Sequence, residues 1–154
     1  MFSFPPTIIF RHRKENLKKC SLQPLKGRPD LQFFTYPVDS LPPLENYVLL
    51  TLNAPILTKD DCEKGLFLID GTWRHAQTMF EQIQRPHLFQ TRSLPSNCET
   101  AYPRRQNDCL DPQRGLASVE ALFLAYAILG RDTTGLLNHY YWREEFLNKN
   151  PTIL

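Results

Sequence analysis

Residues 66–73 read Leu66-Phe67-Leu68-Ile69-Asp70-Gly71-Thr72-Trp73. The first four form an unbroken apolar run, the pattern of a strand buried on both faces of a parallel sheet. The run stops at Asp70 and Gly71, and a glycine there permits a tight turn and close backbone approach. A helical pattern follows, with Trp73, Ala76, Met79, Phe80 and Ile83 on one face. That helix is expected over 73–84, with Pro86 as its stop. A buried strand that turns sharply into an amphipathic helix is the building unit of an α/β protein.

Further strands are expected at 7–10, 31–36, 47–52 and 88–94, each a short apolar or β-branched run. Pro37 ends the second of them. Thr58 is placed to cap a short helix over 59–64, because Thr-x-x-Asp resembles a capping box and the first turn is acidic. The basic run at 11–19 reads as a solvated loop or helix face. Residues 95–115 read as irregular. A helix is expected from Ser118 to Leu129, capped by Ser118, with Glu120 in its first turn and Gly130 closing it. A last helix is expected from a cap at Asp132 or Thr134 to about residue 148. The chain thus divides into an α/β part, 1–95, and a helical part, 96–154.

Composition narrows the function classes. The chain has 154 residues, 42% hydrophobic and 22% charged, which excludes wholesale disorder. Thirteen prolines exclude a long-helix bundle. The formal net charge is only +2, so a basic surface has to be a local patch. No stretch approaches the roughly 20 apolar residues of a membrane span. At the N-terminus apolar residues precede basic ones, the reverse of a secretory signal. Cys20, Cys62, Cys98 and Cys109 show no CxxC or zinc-finger spacing. Reduced thiols in a cytoplasmic, monomeric protein are expected. His12, His75, His87 and His139 show no metal-ligand spacing, so no metal is expected, and no phosphate loop, dinucleotide fingerprint or nucleophile elbow is present.

Three features stand out against this background. Asp70-Gly71-Thr72-Trp73 lies at the carboxyl end of a buried strand, the edge where open α/β sheets bind ligands. Ser118 and Glu120 open the most regular helix. Arg11, Arg13, Lys14, Lys18, Lys19, Arg104 and Arg105 are locally concentrated cations, with aromatic residues available for base stacking.

At these same positions the sequence resembles the RNA 3-amino-3-carboxypropyl (acp) transferases, both the small-subunit rRNA enzymes and the DTW-domain tRNA-uridine enzymes. Asp70-Gly71-Thr72-Trp73 looks like the Asp-x-[Ser/Thr]-Trp segment of that superfamily. Lys18-Lys19-Cys20-Ser21, Ala54-Pro55 with Leu57–Asp61, Arg92-Ser93-Leu94-Pro95, and Ser118-Val119-Glu120-Ala121 follow in family order. Tyr141-Trp142, Phe146-Leu147 and Asn150 resemble its closing segment, so the likeness spans about residues 15–150. Residues 100–106 depart from the rRNA pattern and are closer to the Tyr-x-Leu-Arg segment of the DTW enzymes.

The resemblance implies a SPOUT-like α/β fold with a trefoil knot, placed in the N-terminal part. It implies S-adenosylmethionine as donor and acp transfer to N3 of a uridine or pseudouridine, in rRNA in preference to tRNA. Asp70, or Glu120 in its place, would be the base. Ser21 would hold the acp carboxylate, Pro55, Trp73 and Leu94 would enclose the adenine, and the Ile69 backbone would meet the ribose. Trp73 and Ala76 would surround the methyl group, and Thr72 and Ser118 complete the donor loops. Lys18, Lys19, Arg104 and Arg105 would meet RNA phosphates. A SPOUT-like methyltransferase and a non-catalytic ribosome-assembly factor are the competing classes.

Overall fold

The computed structural model describes residues 4–15, 17, 20–71, 73–83, 89–102 and 116–151, with only the backbone of Trp73. Among these residues five strands and three α-helices follow in chain order. They are β1 (Thr7–His12), β2 (Leu31–Tyr36), β3 (Tyr47–Leu50), β4 (Gly65–Asp70), α1 (Trp73–Ile83), β5 (Gln90–Arg92), α2 (Ser118–Leu129) and α3 (Arg143–Lys149). The strands form one sheet in the order β2-β1-β4-β3-β5, and every pairing is parallel.

Alternation along the strands sets the layers, because successive side chains point to opposite faces. Ile8 and Phe10 of β1 and Phe67 of β4 pack with Met79 of α1 on one face. Ile9, Leu66 and Leu68 pack with Val119, Leu122 and Phe123 of α2 on the other, together with Phe146 of α3. α2 is apolar nearly all round, as befits a helix enclosed by a sheet and a C-terminal segment. The two parts of the chain therefore share one core.

Several sequence expectations are corrected, among them the strand expected at 47–52, which ends at Leu50. β1 runs two residues beyond the apolar stretch, so Arg11 and His12 are buried strand residues and not part of a solvated run. The N-cap of α2 is Ala117; Ser118 is its first residue, and the Glu120 carboxylate takes the Ala117 N–H at 2.8 Å. The last helix starts at Arg143: Gly135 has φ of 84°, which no continuous α-helix passes through, and i→i+3 turns closed by the Leu136, Asn138, Tyr140 and Arg143 N–H groups fill the span before it. The short helix after Thr58 is a single 3-10 turn, Lys59–Asp61, closed by the expected capping box. Gly130 ends α2 at φ of 74°. No helix among the described residues is long and apolar enough to cross a membrane.

Candidate active site

β1 and β4 are neighbours, but their outgoing connections part company: β1 leads to β2 at one side of the sheet, and β4 leads through α1 to β5 at the other. In open α/β sheets such a divergence marks the carboxyl ends of the two strands as the general ligand site. The last paired positions there are Arg11 and Asp70.

Period-two alternation directs both of these side chains to the α2 face, along with Ile9 and Leu68. There they form a buried ion pair, Arg11 Nε to Asp70 Oδ2 at 3.2 Å, with each side chain under 10% exposed. Cys20 Sγ donates to the same oxygen at 3.1 Å, and the Ser118 hydroxyl donates to Oδ1 at 2.7 Å. Burial, reinforced by the neighbouring Asp70 charge, pushes the Cys20 thiol up to about 12, so at neutral pH it is a hydrogen-bond donor and not a nucleophile. Ser21, the next residue, accepts the Val119 N–H at 3.1 Å and so covers the N-terminus of α2 from 98 residues away. β1, the Cys20–Ser21 loop, β4 and α2 thus converge on one carboxylate.

The opposite face of the same edge receives His12 from β1 and His75 from α1. Their rings stack at 3.8 Å with planes 9° apart. Gly71 fits between them and the start of α1: a Cβ there would lie 3.3 Å from His75 Cβ and 3.5 Å from His12 Cβ. Burial, and then the neighbouring His75, hold the His12 pKa below its ordinary value. Its Nδ1 accepts the Lys14 N–H at 3.1 Å.

The loops after β3 and β5 also meet each other. Ser93 N–H donates to the Pro55 carbonyl at 2.7 Å, the Leu57 N–H donates to the Ser93 carbonyl at 2.8 Å, and Ser93 Oγ donates to the Ala54 carbonyl at 2.6 Å. Pro55 and Leu94 are thereby carried on adjoining segments.

No protein-family model matches the sequence, and no curated protein sequence matches it significantly. Among solved structures, the S-adenosylmethionine-dependent rRNA:acp-transferase Tsr3 from Vulcanisaeta distributa superposes with a TM-score of 0.74 at 26% identity. The match covers 96% of this chain and 79% of that one. The chain resembles an rRNA acp-transferase. The resemblance read from the sequence motifs and the likeness of the folds agree on that family.

The residues singled out in the sequence are not all brought to one place. Asp70, Ser118 and Ser21 are brought together on the α2 face, and Pro55 and Leu94 are joined by their loops. Ile69 and Ala76 are half-buried on the α1 face beside Gly71. Glu120 stands apart from them. It is fully buried and accepts from the Thr100 hydroxyl, the Ala101 and Ala117 N–H groups and the Tyr140 hydroxyl, all within 3.0 Å. It ties the 99–102 loop to the start of α2. Lys18, Lys19, Thr72, Arg104, Arg105 and the Trp73 side chain lie outside the described residues. Sequence reasoning missed Arg11 as an Asp70 partner, since a cation at the head of a basic run carries no local sign of burial. It also missed the His12–His75 stack, which joins residues with no common motif. Among the described residues no group of three or more His, Cys, Asp or Glu is arranged to hold a metal ion.

Proposed function

We propose that this chain transfers a 3-amino-3-carboxypropyl group from S-adenosylmethionine to N3 of a uridine or pseudouridine in RNA, with rRNA preferred over tRNA. One observation carries the reading. A carboxylate held by three donors stands at the diverging carboxyl edge of a sheet that matches an rRNA acp-transferase over 96% of this chain.

The residues at that edge suit the donor chemically. Asp70, already paired with Arg11, is left to the proton and not to donor binding. Ser21 Oγ already accepts from Val119, leaving its own proton to donate to a carboxylate. Pro55 and Leu94, with Trp73, are assigned to the purine, Trp73 and Ala76 to the methyl group, the backbone near Ile69 to the ribose, and Thr72 and Ser118 to the flanking loops. When bound, S-adenosylmethionine supplies a carbon attached to a sulfonium, which departs as methylthioadenosine.

The protein's part is then positioning and proton transfer. An uncharged pyrimidine N3–H is a poor nucleophile and needs an acceptor for its proton. Three donors occupy three of the roughly four lone-pair positions of the Asp70 carboxylate, and the open one is on Oδ1. Asp70 is therefore assigned as the base and Glu120 is not, because Glu120 already accepts four hydrogen bonds inside the core. Arg13 and Lys14 are exposed on the turn that leaves β1 at this edge. Together with Lys18, Lys19, Arg104 and Arg105 they are assigned to phosphates, so RNA binding weakens with salt. A SPOUT-like trefoil knot, a division near residue 95, a monomeric state and a cytoplasmic location complete the reading.

The test is mass spectrometry of separated rRNA and tRNA from cells with and without this protein. An acp-modified uridine or pseudouridine present in one and absent from the other supports the reading, and identical nucleoside profiles overturn it.

A further inference from the structure

The two oxygens of Asp70 stand in unequal surroundings. Oδ2 accepts from Arg11 Nε at 3.2 Å and Cys20 Sγ at 3.1 Å, which occupies both of its lone pairs. Among the described residues Oδ1 accepts from the Ser118 hydroxyl alone. A guanidinium beside a carboxylate ordinarily reaches both oxygens through a two-pronged fork. Arg11 does not. Its Nη1 is drawn away to Gln23 Oε1 at 2.8 Å, its Cζ lies 4.9 Å from the centre of the Phe33 ring, and its Nη2 is enclosed with no hydrogen-bond partner. A buried N–H left unmatched is unfavourable, so the arrangement forgoes the most stable pairing available to these two residues. What it achieves is a carboxylate whose Oδ2 takes two donors, while Oδ1, bonded to the Ser118 hydroxyl, is turned away from the arginine.

We propose that Arg11 and Cys20 are positioning residues for acp transfer: by fixing Oδ2 they hold Oδ1 toward the reacting N3–H. Gln23 acts one step further out, keeping the guanidinium off Oδ1. Among the described residues the groups facing Asp70 are Arg11 from β1, Cys20 from the following loop and Ser118 from α2. The inference rests on the reading that Asp70 stands at the transfer centre.

The test uses the full chain, S-adenosylmethionine and deproteinised rRNA from cells lacking the protein. Steady-state kinetics are set beside calorimetric donor binding and melting temperature for Cys20→Ala, Cys20→Ser, Arg11→Gln, Arg11→Lys and Asp70→Asn. Misplacing a reacting group by about an ångström costs on the order of 100-fold. Arg11→Gln is expected to lower kcat by about 10- to 100-fold, with donor affinity and KM within about threefold of wild type. Cys20→Ala is expected to lose about tenfold in kcat, and Cys20→Ser to regain most of it, because a hydroxyl also donates to Oδ2. Arg11→Lys is expected to recover only part, since a point charge lacks the planar fork. If Arg11→Gln does not fold, the cysteine pair decides. Equal losses in kcat, donor affinity and melting temperature, with Cys20→Ser no better than Cys20→Ala, overturn the proposal in favour of plain packing. If Asp70→Asn is impaired while the Arg11 and Cys20 variants turn over normally, the positioning role alone fails. If Asp70→Asn turns over like wild type, the underlying reading of Asp70 fails.

Discussion

The Ser118 hydroxyl donates to Asp70 Oδ1 at 2.7 Å, joining the first residue of α2 to the last residue of β4 across 48 residues of sequence. A helix start and a strand end are thereby locked at one point. Ser118→Ala removes that bond and leaves the α2 cap intact, because Glu120 and Ser21 still satisfy the Ala117 and Val119 N–H groups. A hydrogen bond to a charged group contributes about 1.5–3 kcal/mol. Denaturant melts are expected to show a loss near the lower end, with a clear fall in kcat. A variant as active as wild type would show that the Ser118–Asp70 contact has no part in transfer.

Asp70→Asn keeps the shape of the carboxylate and removes its charge. The account expects S-adenosylmethionine to bind still and the rate to fall at least about tenfold, the scale of a general-base contribution. Single-turnover kinetics with isothermal calorimetry separate the two effects.

Glu120 behaves differently. Its four donors enclose both carboxylate oxygens, and an amide replaces one acceptor with a donor. Glu120→Gln therefore sets an NH2 against at least one N–H or O–H. A cost of about 2–4 kcal/mol in folding is expected, with donor binding and turnover falling together. Lost turnover at unchanged stability and donor affinity would return Glu120 to the chemistry.

Thiol reactivity gives an independent check on the site. Cys62 is exposed, whereas Cys20 and Cys98 are buried. Burial pushes the Cys98 thiol up to about 11, and burial with the Asp70 charge pushes Cys20 up to about 12. Brief iodoacetamide treatment near neutral pH, mapped by peptide mass spectrometry, is expected to alkylate Cys62 and spare Cys20 and Cys98 until the chain unfolds. Rapid alkylation of Cys20 would contradict its hydrogen bond to Asp70.

Acidification should weaken the fold in two stages. Burial, and then His75, hold His12 below its ordinary value. That contribution is complete above the unfolded value of about 6.5 and is lost as pH falls from there toward the folded value. Burial disfavours ionised Asp30 and Asp61, but hydrogen bonds and charges from Arg28 and Tyr126, and from Lys64, Thr58 and Arg92, outweigh it and hold both below the ordinary carboxylate value. Their contribution is complete above about pH 3.9 and is lost as pH falls through their folded values. Urea melts across this range are expected to show both stages, and His12→Gln to remove the upper one.

How much of this was legible in the sequence depends on what each residue contacts. β2 ran over Leu31–Tyr36 as expected, because its apolar run and the proline after it are local signals. The α2 bounds were equally plain, from a dense apolar helix ending at a left-handed Gly130. Arg11 was not legible, since its burial depends on a carboxylate 59 residues away and not on its neighbours. The N-cap of α2 was misread because Ser118 suits a cap chemically, yet its hydroxyl has a stronger acceptor in Asp70. The site's segments were visible as motifs, Cys20-Ser21, Asp70 and Ser118 among them. Their convergence follows from sheet order, which no local pattern encodes.

On the proposed function the acp group, and not the methyl group, leaves S-adenosylmethionine on this protein. The most direct measurement incubates the purified chain with S-adenosylmethionine and rRNA and identifies the small-molecule product by mass spectrometry. The account predicts methylthioadenosine, formed one for one with an acp-modified nucleoside. S-adenosylhomocysteine with a methylated nucleoside, or no turnover of the donor, would contradict it.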